Sequence, residues 1–408
     1  MWRARLARLQ TLAYDSNVIL MPSALFTPIQ LRDLTLANRI VISPLCQYSA
    51  VDGTAQPWHW MHLGSFAVSG AGLVILEATA ISPVGRISPQ CLGLYSDANE
   101  DALTRLLADL RHFSNIPMGI QLSHAGRKAS TRPTWDLWKG HGVPAEEGGW
   151  RPVGPSPEAF TTGWQTPEEL DHAGLARIRD EFVASTVRAN RCGFDWIEIH
   201  CAHGYLLHEF LSPLTNHRTD EYGGSAEKRA RFPLEVAQAM RAAFPSGKPL
   251  GVRITGEDFV PGGLTIDDCV RFAKSLRDIG IDYVTPSAGN VAPGMKIPPV
   301  VPGYLVPFAE RVKRETGITT MTVGMIVEAH QANNIIASGK ADMIAIGRAI
   351  MDDPRWPWHV AAKLGEKIAL SPQYARSSPE HWPAYPMVHG SLPCQPEGQA
   401  KMGHATRE

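Results

Sequence analysis

Short apolar runs rich in β-branched residues recur along the chain, at 39–45, 73–79, 118–123, 194–200, 250–255, 283–287, 320–323 and 343–347. Their near-continuous Val, Ile and Leu character suits strands buried on both faces. Segments with helical periodicity lie between them, including 167–191, 226–243, 266–278 and 327–337. The third of these opens on Thr265-Ile266-Asp267-Asp268, an N-cap followed by acidic first-turn residues that suit the helix dipole. Strand then helix, repeated eight times, predicts a parallel sheet, and eight such units predict a closed (β/α)8 TIM barrel. A doubly wound sheet would carry a glycine-rich fingerprint after its first strand. Here that strand runs into Ser43-Pro44-Leu45-Cys46 instead.

At 408 residues and 44% hydrophobic, the chain can bury one large core, and a barrel domain is expected over residues 21–378. Residues 1–20 are basic and weakly amphipathic. They read either as a targeting peptide or as an extension outside the fold; the missing apolar core and cleavage site favour the extension. The longest interruption, 126–165, is rich in Pro, Gly and Trp and follows the third strand, as expected of a lid or binding loop on the active face. Residues 379–408 show no periodicity and read as an irregular tail. The 39 Lys and Arg balance 40 Asp and Glu, so nothing points to nucleic acid or an acidic membrane surface as partner. The cysteines are scattered without a C-x-x-C pair. Neither a zinc cage nor an iron–sulfur cluster is readable, no metal site is assigned, and free thiols suit the cytoplasm. No stretch is long and apolar enough to span a bilayer.

In a (β/α)8 barrel the chemistry lives at the carboxyl ends of the strands. Read in order, those ends carry Ser43 and Cys46, Glu77 with Ala78, Gln121 and His124, His200 and His203, Arg253, Ser287, Gly324, and Gly347 with Arg348. So many hydrogen-bonding groups on one rim predict a large polar ligand. Gly324 and Gly347-Arg348 follow strands seven and eight, where many barrels hold a phosphate: glycine lets backbone N–H groups approach the oxygens, and arginine adds a charge-assisted contact. Alone, that signal fits a sugar phosphate as well as a flavin.

His200 and His203 would share one side if the backbone turned helically between them. A zinc pair is one competing reading, though no third ligand at metal spacing is visible; two structural histidines are another. Tyr205, two residues on, adds a phenol able to deliver a proton to a carbon being reduced. Arg253 requires an anionic or acceptor partner at a buried strand end, either a ligand or a structural ion pair with Glu198 or Glu257. Cys46 reads either as a small buried apolar residue or as a ligand contact.

Three motifs carry a resemblance to a known family. They are the run from His200-Cys201-Ala202-His203-Gly204-Tyr205 through Asn216-His217-Arg218-Thr219-Asp220-Glu221-Tyr222-Gly223-Gly224-Ser225, then Ser43-Pro44-Leu45-Cys46-Gln47-Tyr48, and Gln121-Leu122-Ser123-His124-Ala125-Gly126-Arg127-Lys128. Over about residues 25–376 the chain resembles the old yellow enzymes, in their bacterial thermophilic-like, cysteine-containing branch. The resemblance implies bound FMN, with NADPH or NADH as hydride donor. It implies that Ser43, Pro44, Leu45, Cys46 and Ala78 line the flavin ring, that Gln121 bonds its pyrimidine edge, and that Arg253 stabilises the reduced ring. Gly347 and Arg348 would hold the phosphate, with Gly324 close by. Cys46 and Tyr48 would contact substrates, His200 and His203 would donate to a substrate carbonyl, and Tyr205 would protonate the α-carbon. The implied reaction is ping-pong reduction of an activated C=C bond, with enones, maleimides, quinones and nitro compounds as partners, as in xenobiotic reduction. Arg376, in Gln373-Tyr374-Ala375-Arg376, is similar to an arginine that reaches a neighbouring subunit's site, and a homodimer or homotetramer is expected. The chain departs from the family beyond that point: it runs on by some thirty residues, and Ser377-Ser378 stand where a tryptophan is expected, with Trp382 as the substitute.

Three other readings compete, one of them a catalytically silent FMN-binding or sensing protein, against which the presence of Tyr205, His200 and His203 weighs. A dienoyl-CoA-reductase-like enzyme would carry an iron–sulfur cluster and a second flavin domain, for which cysteine cluster and length are lacking. A flavin-free phosphate-binding aldolase or synthase barrel would often place a Schiff-base lysine at a strand end, and none of the eight ends has one.

Overall fold

A computed structural model describes residues 23–139 and 141–390. Eight parallel strands run through it: β1 (Ile40–Ile42), β2 (Leu73–Ala80), β3 (Met118–Ser123), β4 (Trp196–Cys201), β5 (Leu250–Thr255), β6 (Tyr283–Ser287), β7 (Thr319–Thr322) and β8 (Met343–Ile346). They close into a barrel in which each pairs with its sequence neighbours, and β8 meets β1 through Ile344 opposite Ile40. Helices α1 (Pro57–Ala67), α2 (Asp97–Arg111), α3 (His172–Cys192), α4 (Leu206–Leu211), α5 (Ala226–Ala243), α6 (Ile266–Asp278), α7 (Val306–Thr316) and α8 (Ala329–Ala337) follow in turn. The expected (β/α)8 architecture is the observed one. Among the described residues no helix is long and apolar enough to cross a membrane.

Most boundaries differ from the sequence reading only at their ends, for local reasons. The fourth strand starts at Trp196 rather than 194, because Phe194 donates its N–H to Ala189 and so closes α3 over the left-handed Gly193. At α6 the expected N-cap is a full capping box: Thr265 donates to the Asp268 carboxylate through both its backbone N–H (2.9 Å) and its hydroxyl (2.7 Å).

Outward-facing aliphatics such as Val74, Leu76, Ile197, Ile199 and Val252 pack under the helices. The lumen holds a second cluster built on Val41, Leu73, Ile75, Trp196, Tyr283, Met321 and Met343. Trp196 and Tyr283 lie with ring centroids 4.6 Å apart, and the indole N–H donates to the phenol oxygen at 2.6 Å. Space for the Tyr283 ring comes from Gly251, where a Cβ would stand 1.9 Å from Tyr283 Cε1. Gly251→Ala is therefore expected to overpack the lumen and destabilise the fold by about 1–3 kcal/mol, read as a lower urea midpoint.

One element escaped the sequence reading. Ile29–Leu31 and Leu34–Leu36 form an antiparallel hairpin whose Leu31 and Leu36 join the lumen cluster and plug the barrel's amino-terminal end. Its Ile-Gln-Leu and Leu-Thr-Leu alternation was the available signal. Arg32 in its turn adopts φ +51°, and its guanidinium bonds Asp282 and the carbonyls of Ser246 and Gly280.

Beyond β8 come α9 (Arg348–Asp352) and α10 (Trp356–Lys363), then a 3-10 turn at Pro372–Ser377. The tail is not wholly irregular, as Tyr385–His389 forms a short helix, α11, with Tyr385 buried. Apolar packing against His359 and Trp382 explains what periodicity in so short a segment could not reveal. The expectations for residues 1–20 and 391–408 lie outside the described residues.

Candidate active site

Strand alternation sets up the site. On β4, Trp196, Glu198 and His200 share the inward face, with Ile197 and Ile199 outward. Arg253 lies opposite His200 on β5, and Thr285 opposite Arg253 on β6. Above the Trp196–Tyr283 layer the lumen turns polar. The buried Glu198 carboxylate accepts from Gln121 Nε2 (2.7 Å), Thr285 Oγ1 (2.7 Å) and the Tyr283 hydroxyl (3.3 Å). The alternative reading of Arg253 as the ion-pair partner of Glu198 or Glu257 is corrected here: Glu198 is occupied by three other donors. Arg253 donates instead to Ser43 Oγ at 3.2 Å, and its Nε is buried without a partner. Burial pulls its pKa down while Glu198 opposes the shift. A buried guanidinium with an unused donor at the top of the lumen calls for an acceptor there.

Most of the predicted rim residues lie at the carboxyl ends of the strands or in the loops that leave them. Leu45 faces Gly347, where a Cβ would lie 3.6 Å from its side chain. Cys46 and Tyr48 join Ala78, Ala125, Trp150 and Tyr205 in one satellite cluster. Ala78 reaches it through a bulge in β2, which breaks the register between Leu76 and Ala78. At that bulge Glu77 accepts from the Gln47 backbone N–H (3.0 Å) and faces His59 at 3.4 Å. Burial, then Cys91 and Glu77, push the Cys46 thiol up, so it stays protonated. Pro44 is half-buried beside them. Gly324 lies against Tyr304 and Leu305, with φ +112°. Arg348 is exposed and makes no hydrogen bond or ion pair among the described residues.

The histidines meet, but not through a helical turn. His203 and Gly204 both take left-handed backbone, at φ +60° and +73°, which brings His203 Nδ1 to 3.3 Å from His200 Nε2. His203 Nε2 stands 2.7 Å from Ser287 Oγ, and the Ala202 N–H donates to His200 Nδ1 at 3.3 Å. A backbone N–H can only donate, so the His200 proton sits on Nε2, directed to His203 Nδ1; the His203 proton then sits on Nε2, directed to Ser287. Burial first, and then the Arg253 charge, hold both imidazoles well below the usual histidine range, so both are neutral at pH 7. Tyr205 packs edge-on against His200 with centroids 4.8 Å apart. Burial raises its pKa, and its hydroxyl makes no hydrogen bond among the described residues.

Lys128 was quoted only within a motif, yet its ammonium donates to the carbonyls of His203 (2.8 Å) and Asn290 (3.1 Å) and lies 5.2 Å from the Tyr205 ring centroid. Burial draws its pKa down to about 8. The long third loop arches over this region through Trp135, edge-on to Tyr48 at 5.6 Å, and Phe160, whose ring lies 5.0 Å from the Lys128 ammonium. Arg376 stands apart. It is exposed on the Pro372–Ser377 turn, which Tyr374 fastens to Arg355 and Trp358 of the α10 region. That segment and Trp382 wall a separate cavity of about 720 Å³.

Backbone strain concentrates on the same rim. Of eight non-glycine residues with positive φ among those described, seven lie in loops leaving the carboxyl ends of strands: Tyr48, Asp52, Ser130, His203, Phe259, Asn290 and Met325. Such clustering marks functional loops, because the surrounding fold must hold each residue there.

The sequence of the NADH:flavin oxidoreductase / NADH oxidase family matches residues 24–367. An NADPH dehydrogenase of Geobacillus thermodenitrificans (strain NG80-2) is 42% identical over 358 residues, covering 87% of this chain and 99% of that protein. One from Bacillus subtilis (strain 168) is 40% identical with the same coverage. Among solved structures, morphinone reductase superposes with TM-score 0.70 at 28% identity, covering 86% of this chain and 92% of its own. The old yellow enzyme homologue from Zymomonas mobilis gives TM-score 0.67 at 26% identity, covering 89% and 99%. With a matching barrel, a polar rim and these relatives, the chain belongs to the NADH:flavin oxidoreductase / NADH oxidase family, of the old yellow enzyme type, and is an FMN-dependent oxidoreductase that uses NADPH or NADH.

Proposed function

We propose that the chain is an ene-reductase, acting by ping-pong on the activated C=C bond of α,β-unsaturated carbonyl compounds. The observation that carries this reading is the neutral His200–His203 pair, two N–H donors at the barrel mouth beside the unengaged phenol of Tyr205.

The residues present fit FMN. The buried, unpartnered Nε of Arg253 supplies a donor and a positive charge for the ring's anionic edge, and the unpaired Arg348 supplies a cation for the phosphate. Ser43, Pro44, Leu45, Cys46 and Ala78 would line the ring, Gln121 would meet its pyrimidine edge, and Gly324 and Gly347 would leave room for the phosphate. Bound there, FMN would supply hydride-transfer chemistry between NADPH or NADH and the β-carbon of the substrate.

His200 and His203 receive the substrate carbonyl oxygen. In the free chain their N–H groups donate to His203 Nδ1 and Ser287 Oγ, so an incoming carbonyl oxygen takes the place of these acceptors. Negative charge grows on that oxygen during reduction, and each donor is worth about 3–4 kcal/mol there. Tyr205 delivers its proton to the α-carbon; its raised pKa keeps the proton in place until a strongly basic carbon forms beside it. Cys46 and Tyr48 contact the substrate from the first loop. Maleimides, quinones and nitro compounds offer the same acceptor chemistry, which suits a role in xenobiotic reduction. We assign the barrel domain to residues 21–378. A homodimer or homotetramer in which Arg376 enters the neighbouring mouth, and a cytoplasmic location consistent with the free cysteines Cys46, Cys91, Cys192, Cys201 and Cys269, complete the proposal.

An anaerobic titration tests it. NADPH is expected to bleach the flavin absorbance near ~450 nm, and 2-cyclohexenone is expected to restore it. Bleaching without recovery would sink the ene-reductase reading. Stoichiometric iron would favour the dienoyl-CoA-reductase-like alternative, and a colourless protein that cannot take up FMN would return the aldolase-type barrel.

A further inference from the structure

The chain leaving β4 makes a costly turn. His203 at φ +60° is followed by Gly204 at φ +73°, and a side chain at Gly204 would stand 2.1 Å from the Asn290 carbonyl oxygen. Two consecutive left-handed residues, one a histidine, persist only where neighbours hold them. The hold on this turn comes from a group outside the reacting set. The Gly204 N–H donates at 2.8 Å to Nδ1 of His208, which lies on α4. The other ring nitrogen of His208 stands 2.9 Å from Asp258 Oδ1, and both side chains are fully buried. Asp258 lies in the loop after β5, and its second oxygen accepts from Ser212 Oγ (2.8 Å) and the Leu264 N–H (2.8 Å). Thr255, the last residue of β5, sets its hydroxyl 3.3 Å from His208 Nδ1.

These bonds allow one arrangement. Because the Gly204 N–H must donate, His208 Nδ1 accepts; its proton therefore sits on Nε2 and goes to Asp258, whose orientation is fixed by two further donors. On the opposite side Lys128 holds the His203 carbonyl. We propose that His208, seated on Asp258, is a positioning residue for the carbonyl-donor pair: it fixes the Gly204 turn and thereby aims the His203 imidazole at His200 and Ser287. Without its acceptor the Gly204 N–H is left buried and unpaired, the turn relaxes, and His203 Nε2 leaves the line on which it meets a carbonyl oxygen. This inference rests on the donor reading of His200 and His203 given above.

The test uses FMN-loaded protein, reduced anaerobically with dithionite and then mixed with 2-cyclohexenone or with dioxygen. Reoxidation by dioxygen requires no carbonyl donor and serves as the internal reference. In His208→Leu the enone rate is expected to fall about a hundredfold while the dioxygen rate stays within about twofold, since a displacement near 1 Å costs that much in an oriented reaction. His208→Asn, whose Oδ1 can accept from the Gly204 N–H, is expected to recover most of the loss. Where the Leu variant does not hold FMN, Asp258→Asn carries the test, with the enone-to-dioxygen ratio expected to drop about tenfold. An unchanged ratio in these variants, or equal loss in both reactions, overturns the positioning role alone. A wild-type protein that reacts with dioxygen but not with the enone overturns the donor reading itself.

Discussion

Tyr205→Phe is expected to slow reoxidation of the reduced flavin by 2-cyclohexenone by about 10²–10⁴-fold, while leaving flavin reduction by NADPH largely intact. The split follows from the surroundings of the phenol. Its hydroxyl makes no hydrogen bond among the described residues, so removing it leaves nothing unpaired, and the edge-on contact of the ring with His200 survives in phenylalanine. Only proton delivery to the α-carbon is lost. Single-wavelength stopped-flow on the two half-reactions separates the effects; equal loss in both would mean that the residue shapes the pocket rather than supplying a proton.

The second large effect is expected at His200. His200→Ala removes one carbonyl donor and should lower the enone half-reaction by about 10²–10³-fold. Loss below about tenfold would show that His203 and other donors carry the oxygen without it. A pH signature accompanies this prediction in the wild type. Histidine ordinarily titrates near ~6.5, but burial and Arg253 hold both imidazoles well below that value. They are neutral above their lowered pKa, and Tyr205 is protonated below its raised one. The enone half-reaction should therefore stay flat through the pH range in which a free histidine would switch. The nearest group poised to change on the alkaline side is Lys128, which loses its charge as pH rises through about 8 and with it the charged hold on the His203 carbonyl. A fall there, absent in Lys128→Met, assigns the limb to that ammonium.

The fold was legible because strands buried on both faces spell themselves out in Val, Ile and Leu, and the rim was legible because inward-facing polar residues at strand ends stand out against them. Gln121, His200, Arg253 and Ser287 could be picked that way. Glu198 was seen only as a counter-charge for Arg253, although it shares a face with Trp196 and His200; alternation gave its direction but not the three donors that converge on it. The histidine pairing was read on the condition of a helical turn, because spacing by three is common to helices and to a left-handed pair, and only the Gly204 environment separates the two. Lys128 and Asp258 were invisible as site residues for a different reason: each acts across loops far apart in sequence, on His203 and His208 respectively. For Gly347 and Arg348 the legible signal was their place after the eighth strand, where many barrels hold a phosphate, and the resemblance named FMN as its source.

The hairpin at the amino-terminal end of the barrel has a kinetic meaning. With Leu31 and Leu36 seated in the lumen, aliphatic side chains plug the amino-terminal end, and access to the candidate site lies at the opposite, carboxyl end of the strands. Under the ping-pong reading proposed above, the nicotinamide and the enone share that end, and each is expected to leave before the other enters. An excess of NADPH is then expected to compete with the enone, read as a rise in the apparent KM for 2-cyclohexenone.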